Sequence, residues 1–281
     1  MAVEGDTAGD RSATSPVVNT DARDDAADVL ARLYDLDLED DPGDLDLYRA
    51  LAARTGGPVL ELACGTGRVA APLAADDLAV TGLDIDPAML RRARRRWMGR
   101  REAGPGSGDL DLVEGDLLDA RLGPRFALVI LALNGLLVVG DPDGQAVALS
   151  TIARHLRPDG LAVLDVWLPS AEDLALYDGR VILEWLRHDS ETGEQVAKLG
   201  SARHDSATAT VELRAIFDAW PDAGGPVRRV AREDRLQLVG AAELVAMATR
   251  AGLVVEQLAG DYELSPFGPG AERAVLVGRL G

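Results

Sequence analysis

The stretch VLELACGTGRVA (59–70) runs from an apolar, strand-like segment through Cys64-Gly65-Thr66-Gly67 into a helical pattern. Glycines can take positive φ and let a ligand lie against the backbone, beside the positive end of the helix that follows. Gly65, Gly67 and Ala70 also satisfy the G-x-G-x-x-G/A fingerprint of nucleotide-cofactor loops. More than one cofactor fits those letters, so the flanking sequence has to choose.

Outward from the loop a regular alternation appears. PVLELAC (58–64), LAVTGLDI (78–85), LDLVEGD (110–116), FALVILAL (126–133) and LAVLDVWL (161–168) read as strands. Between them RVAAPLAA (68–75), AMLRRARRRWM (88–98) and GQAVALSTIARHL (144–156), the last closed by RPDG, read as helices. Apolar runs alternating with helical patterns predict an α/β, doubly wound, mainly parallel sheet covered on both faces. Upstream, AADVLARLYDL (26–36) and DLDLYRALAART (44–55) are amphipathic helices split by DDPGD (40–44), and residues 1–25 read as a disordered acidic tail.

After Pro169 the period changes to two. RVILEWLRH, EQVAKLGSAR, TATVELRAIFDAW and VRRVAREDRLQLV predict a half-exposed antiparallel sheet inserted at 176–239, a substrate lid. A helix over 241–252 and strands LVVEQLAG and RAVLVGRL then return to the main sheet as a hairpin, giving a main domain of 26–175 plus 240–281.

With 281 residues, 47% of them hydrophobic, the chain can bury a full core. A formal net charge of -18 argues against nucleic acid as a partner, because phosphates need a basic surface. Most of the arginines of RRARRRWMGRR (91–101), spread over a helix and its exit, are expected to face solvent, those near the helix C-terminus favouring its dipole. Cys64 is the single cysteine, so there is no internal disulfide, and it reads as a small packing residue under the loop. His155, His188 and His204 lack metal-ligand spacing, so no metal is expected. Without a signal peptide or an apolar run of membrane-spanning length, the expectation is a soluble cytoplasmic protein with no membrane partner.

Two acids point to an adenosine. Asp84 follows the second strand, where a carboxylate in a doubly wound sheet faces a ribose. Asp116 ends the third strand in VEGDLL, placed to accept from an adenine amino group while the Leu117 N–H reaches the ring. In chain order VLELACGTGR, VTGLDIDPAML, LVEGDLLD, FALVILALNGLL and HLRPDGLAVLDV resemble the successive motifs of class I S-adenosylmethionine-dependent methyltransferases, over roughly residues 28–168. The resemblance implies a seven-stranded Rossmann-like sheet and S-adenosyl-L-methionine as cofactor. It places Glu61, Ala63, Gly65 and Gly67 along the methionine part, Asp84 on the ribose, Ile85 and Met89 beside the adenine, and Asp116 and Leu117 at its edge. Tyr34, Thr66, Gly115 and Leu133 complete the cofactor set. Ala63 stands where glycine is frequent, a departure small enough for binding to survive. An NAD(P)-dependent oxidoreductase is the alternative, but it gives no reason for Glu61 ahead of the loop, which suits an ammonium better than a pyrophosphate.

A sulfonium is already activated, so in-line displacement asks the protein to position the acceptor, exclude water and, where needed, remove one proton. Asn134, after the fourth strand, borders the methyl by family analogy or is a plain Asn-Gly turn. Tyr34 and Tyr48 lie on helices that cover the cofactor in similar enzymes, or are core. Trp167 is a candidate acceptor wall. The insert offers Trp185, Arg214 and Phe217 for substrate, and His188 or His204 as general base. There Val181, Leu183 and Trp185 are expected on one face, Glu184 and His188 on the other. The expected function is methyl transfer to nitrogen or oxygen of a small molecule. A non-catalytic S-adenosylmethionine-binding or assembly protein is the alternative from another class, and a homodimer through the insert is a further expectation.

Overall fold

The computed structural model describes residues 20–103 and 108–281. Helices α1 (Thr20–Asp37) and α2 (Leu45–Thr55) lead into the alternation β1 (Val59–Leu62), α3 (Ala70–Ala75), β2 (Ala79–Asp84), α4 (Pro87–Ala103), β3 (Asp109–Glu114) and β4 (Phe126–Leu131). Helix α5 (Pro142–His155), strand β5 (Leu156–Trp167) and a short α6 (Ala171–Leu176) complete the first pass. The insert is β6 (Asp178–Asp189), β7 (Glu194–Asp205), β8 (Thr210–Pro221) and β9 (Arg228–Gln237). Helix α7 (Ala241–Arg250), β10 (Leu253–Ala259) and β11 (Arg273–Leu280) close the chain. Among the described residues no helix is long and apolar enough to cross a membrane.

The main sheet has the order β10-β11-β5-β4-β1-β2-β3. Strands β1 to β5 pair in parallel, and β11 lies antiparallel between β5 and β10. Strands β1 and β4 are buried along their whole length, as the middle of a sheet covered on both faces requires. The chain leaves β1 toward β2 on one side and returns to β4 on the other, and that switch point opens a crevice at the carboxyl ends of the strands.

Several local expectations change. Helix α1 begins at Thr20 rather than Ala26, since propagating a helix adds one hydrogen bond per residue once it is nucleated. The rest of the expected tail, residues 1–19, lies outside the described residues. RPDG does not separate helix from strand: β5 starts at Leu156, Pro158 favours an extended Arg157, and the register with β4 jumps from Phe126↔Leu156 to Leu128↔Leu161. Helix α6 was not anticipated, although its capping box between Ser170 and Asp173 is legible as S-x-x-D.

The insert forms a separate antiparallel sheet ordered β6-β7-β8-β9. Its inner face packs Val196, Phe217 and Ala219 on Leu33 of α1, and Val211 and Leu236 on the main core. A bulge overturns the expected faces of β6. Leu183 pairs with Leu199 but Trp185 with Lys198, so Glu184 is the extra residue and the side chains beyond it exchange faces. Trp185 therefore points inward, opposite Leu183. The Glu184 carboxylate lies over Gly200, where a Cβ would meet it at 1.6 Å, and so shares no face with His188.

Candidate functional site

At the end of β1 the chain turns through Ala63 (φ 53), Gly65 (φ 53) and Gly67 (φ 71). Ala63 in the left-handed region costs about 1–2 kcal/mol, the local strain that the departure from glycine leaves in place. A Cβ on Gly67 would stand 3.0 Å from the Ala93 Cβ of α4, so glycine is required for loop and helix to pack. Gly65 donates to Asp84 Oδ2 at 2.7 Å, and Asp86 donates to Asp84 Oδ1 at 2.9 Å. Burial raises the Asp84 carboxyl above its usual range, and the two backbone donors oppose the shift. Each Asp84 oxygen keeps a second lone pair for a ribose hydroxyl.

Glu61, on β1, is 3% exposed, and its Oε2 has no hydrogen-bond partner among the described residues. Arg68, the cation that acts on it electrostatically, is taken by Asp44 through two bonds of 2.6 Å. Burial pushes the Glu61 carboxyl up to about 8. An orphaned buried acid beside a glycine cradle is the chemistry an amino acid ammonium would satisfy, and the site fits S-adenosylmethionine on that ground. Across the crevice Ile85 stands 65% exposed after β2, an apolar surface for a purine, with Met89 half-buried on α4. Gly115, Asp116 and Leu117 follow β3, and Asp116 Oδ1 accepts from the Leu118 N–H at 2.8 Å. Leu133 follows β4. The expected cofactor residues on the strands thus meet at the four adjacent exits of β1, β2, β3 and β4.

Helix α1 roofs the loop. The Tyr34 ring lies 3.8 Å from where a Gly65 Cβ would be, and Thr66 donates to Asp35 Oδ1 at 2.5 Å. Asp35 also pairs with Arg92 and Arg96 of α4, and Arg92 continues to Glu191 in the β6–β7 turn at 2.8 Å. Arg91 pairs with Asp28 of α1. Arg94, Arg95, Arg100 and Arg101 are exposed, as expected of most of the run, while Arg91, Arg92 and Arg96 are spent holding α1. Sequence alone offered no sign of Asp35, because its partners lie on other elements.

On the acceptor side the expectations divide. Trp167 ends β5 and lines a cavity of about 320 Å³ together with Tyr262 and Arg273. Asn134 keeps its place, but its Oδ1 accepts from the Trp167 N–H at 2.6 Å and from Arg273 at 3.3 Å. Tyr48 is fully buried and donates to Asp165 Oδ1 at 3.3 Å, so it props the core instead of meeting substrate. Phe217 is 4% exposed against α1, and Trp185 donates from Nε1 to Asp37 at 2.8 Å; both seal the insert onto α1. Arg214 pairs with Glu233 on the outer face and is lost to substrate. His188 is exposed beside Asp222 at the end of β6 remote from the main core, about 30 Å of strand from Asp178. His204 sits at the near end, its N–H donating to the Tyr177 carbonyl at 3.0 Å. Asp165, Tyr262 and Arg273 escaped the sequence reading; the one signal was an acid inside the apolar run LAVLDVWL.

The order of strands, the glycine turn and the acids at successive strand exits define a doubly wound enzyme fold with an adenosine site. The family described as "Methyltransferase domain" matches residues 59–160. The dTDP-3-amino-3,4,6-trideoxy-alpha-D-glucopyranose N,N-dimethyltransferase of Streptomyces venezuelae is 30% identical over 76% of this chain and 82% of that enzyme. The dTDP-3-amino-3,6-dideoxy-alpha-D-glucopyranose N,N-dimethyltransferase of Streptomyces fradiae is 27% identical over 84% and 88%. Among solved structures, the CcbJ methyltransferase of Streptomyces caelestis superposes with a TM-score of 0.70 at 28% identity, covering 85% of this chain and 90% of that one. The chain belongs to the class I S-adenosylmethionine-dependent methyltransferases, and S-adenosyl-L-methionine is its cofactor.

Proposed function

We propose that the protein methylates the amino nitrogen of a small molecule of the amino-sugar type. The observation that carries this is the extent of the likeness: the relatives align over most of both chains, insert included, and not over the cofactor half alone. The cofactor supplies a methyl on an activated sulfonium. Glu61 holds its ammonium and Asp84 its ribose; Gly65, Thr66, Gly67 and Tyr34 enclose the methionine part; Ile85, Met89, Asp116 and Leu117 bound the adenine. Trp167 walls the acceptor, the insert excludes water as a lid, and His204 is the remaining candidate to take the amine proton. The enzyme works in the cytoplasm as a homodimer joined through the insert.

The test is to incubate the protein with S-adenosylmethionine and dTDP-3-amino-3,4,6-trideoxy-α-D-glucopyranose, following S-adenosylhomocysteine and the mass of the sugar. Added methyl groups on nitrogen are expected. Turnover only with hydroxyl acceptors would move the target to oxygen, and tight cofactor binding without turnover on any acceptor would overturn catalysis.

A further inference from the structure

We propose that Asp165 and Arg273 form a positioning clamp that sets the conformation of the β4 exit, the part of the site facing the methyl acceptor. The inference rests on the methyltransferase reading of that site. Asp165 is 1% exposed, within β5, and both of its oxygens are fully engaged. Oδ1 accepts from the Leu133 N–H at 2.9 Å and from the Tyr48 hydroxyl at 3.3 Å. Oδ2 accepts from the Tyr262 hydroxyl at 3.2 Å and pairs with Arg273. A buried carboxylate is costly to desolvate, and hydrophobic side chains would fill a strand as well. Here its partners link the exit of β4, at Leu133, with Tyr262 and Arg273 of the cavity wall.

What the clamp holds is an unfavourable backbone. Leu133 and Asn134 are consecutive non-glycine residues at φ 46 and φ 62. Such residues leave the left-handed region unless their surroundings hold them there, and held pairs cluster at sites of binding and catalysis. Both are held from β5 and β11: Asp165 takes the Leu133 N–H, while the Trp167 N–H and Arg273 both claim Asn134 Oδ1. With its oxygen occupied by two donors, the Asn134 amide has only its NH2 to offer a ligand. Arg273 and Tyr262 line the cavity, with the guanidinium 4.9 Å from the tyrosine ring, so the clamp is also part of the wall that a ligand there would press on. Asp165 and Arg273 thus act through Leu133 and Asn134, as positioning residues.

Arg273→Met, Arg273→Lys and Asp165→Asn, each in the full chain, separate this from a general structural role. Three quantities are read: amide exchange in the segment 131–137, S-adenosylhomocysteine affinity, and turnover with the amino sugar above. Arg273→Met should speed exchange in that segment and lower kcat, each by roughly tenfold, with a smaller rise in the S-adenosylhomocysteine dissociation constant, about threefold, through Leu133. Arg273→Lys should recover part of both losses, and Asp165→Asn should show the larger effect. Unchanged exchange at the β4 exit overturns the clamp. So does a parallel collapse of cofactor affinity, which would make the pair a prop for the whole fold. If the wild type does not methylate the amino sugar, the acceptor reading fails, and exchange with the cofactor titration still decides the clamp.

Discussion

Glu61 shows how one residue can tie cofactor binding to pH. Its carboxyl is lifted from 4.5 to about 8 by burial, against the opposing pull of Arg68 and a backbone hydrogen bond from Ala70, and its Oε2 has no hydrogen-bond partner among the described residues. The folded apo protein then binds a proton between those values that the unfolded chain has released, so this residue's contribution to stability falls as pH rises through that window. An ammonium beside Glu61 favours the ionised form, so binding expels the proton and affinity rises toward pH 8. S-adenosylhomocysteine titrations from about pH 6 to pH 8 should show tighter binding at the upper end, and Glu61→Gln should flatten that slope. A wild-type affinity independent of pH would mean the ammonium sits elsewhere. The acid was visible in VLELAC because it interrupts an apolar strand. That its Oε2 is left without a hydrogen bond was not, since Arg68 becomes unavailable only when Asp44, at the start of α2, takes it.

Helix α1 joins the cofactor loop to the insert. Asp35 binds Thr66, Arg92 and Arg96, and Arg92 reaches Glu191. Farther along, Asp37 receives Lys198 at 2.6 Å and the Trp185 indole, and Lys198 also pairs with Glu184 at 2.8 Å. These pairs are only partly exposed, so they couple elements more strongly than free surface pairs do. Asp35→Ala should speed hydrogen exchange in α1 and the glycine loop together and raise the cofactor dissociation constant roughly tenfold, about 1.4 kcal/mol. A loosened α1 with unchanged affinity would separate the helix from the cofactor site. The amphipathic pattern of AADVLARLYDL announced a helix with a partner. It did not name the partner, because Leu33 fits any apolar face and meets Phe217 only through the long insert.

For the whole molecule, the insert packs much of its inner face on α1 and the core and leaves its outer face open to solvent. Val181, Leu183 and Leu186 of β6 are 55%, 64% and 58% exposed, and β6 is an edge strand. Unpaired edge groups beside an apolar row suit a second copy of the same chain, because a two-fold axis pairs the edge with itself. The proposed homodimer should appear in sedimentation of the wild type, and Leu183→Glu with Leu186→Glu should return it to monomer. A monomeric wild type would retire the idea.

Local pattern was enough for the sheet, and the family resemblance carried by the same stretches for the cofactor. Period-two and helical alternation, the glycine turn and the acids Glu61, Asp84 and Asp116 are short-range features whose geometry the backbone dictates, so VLELACGTGRVA and the strand ends after it could be read directly. The bulge at Glu184, the turning of Trp185 toward α1, the withdrawal of Tyr48 into the core and the gathering of Asp165, Tyr262 and Arg273 could not be. Each depends on residues far apart in the chain arriving at one place, and pairing and burial at that distance are set by the packed fold.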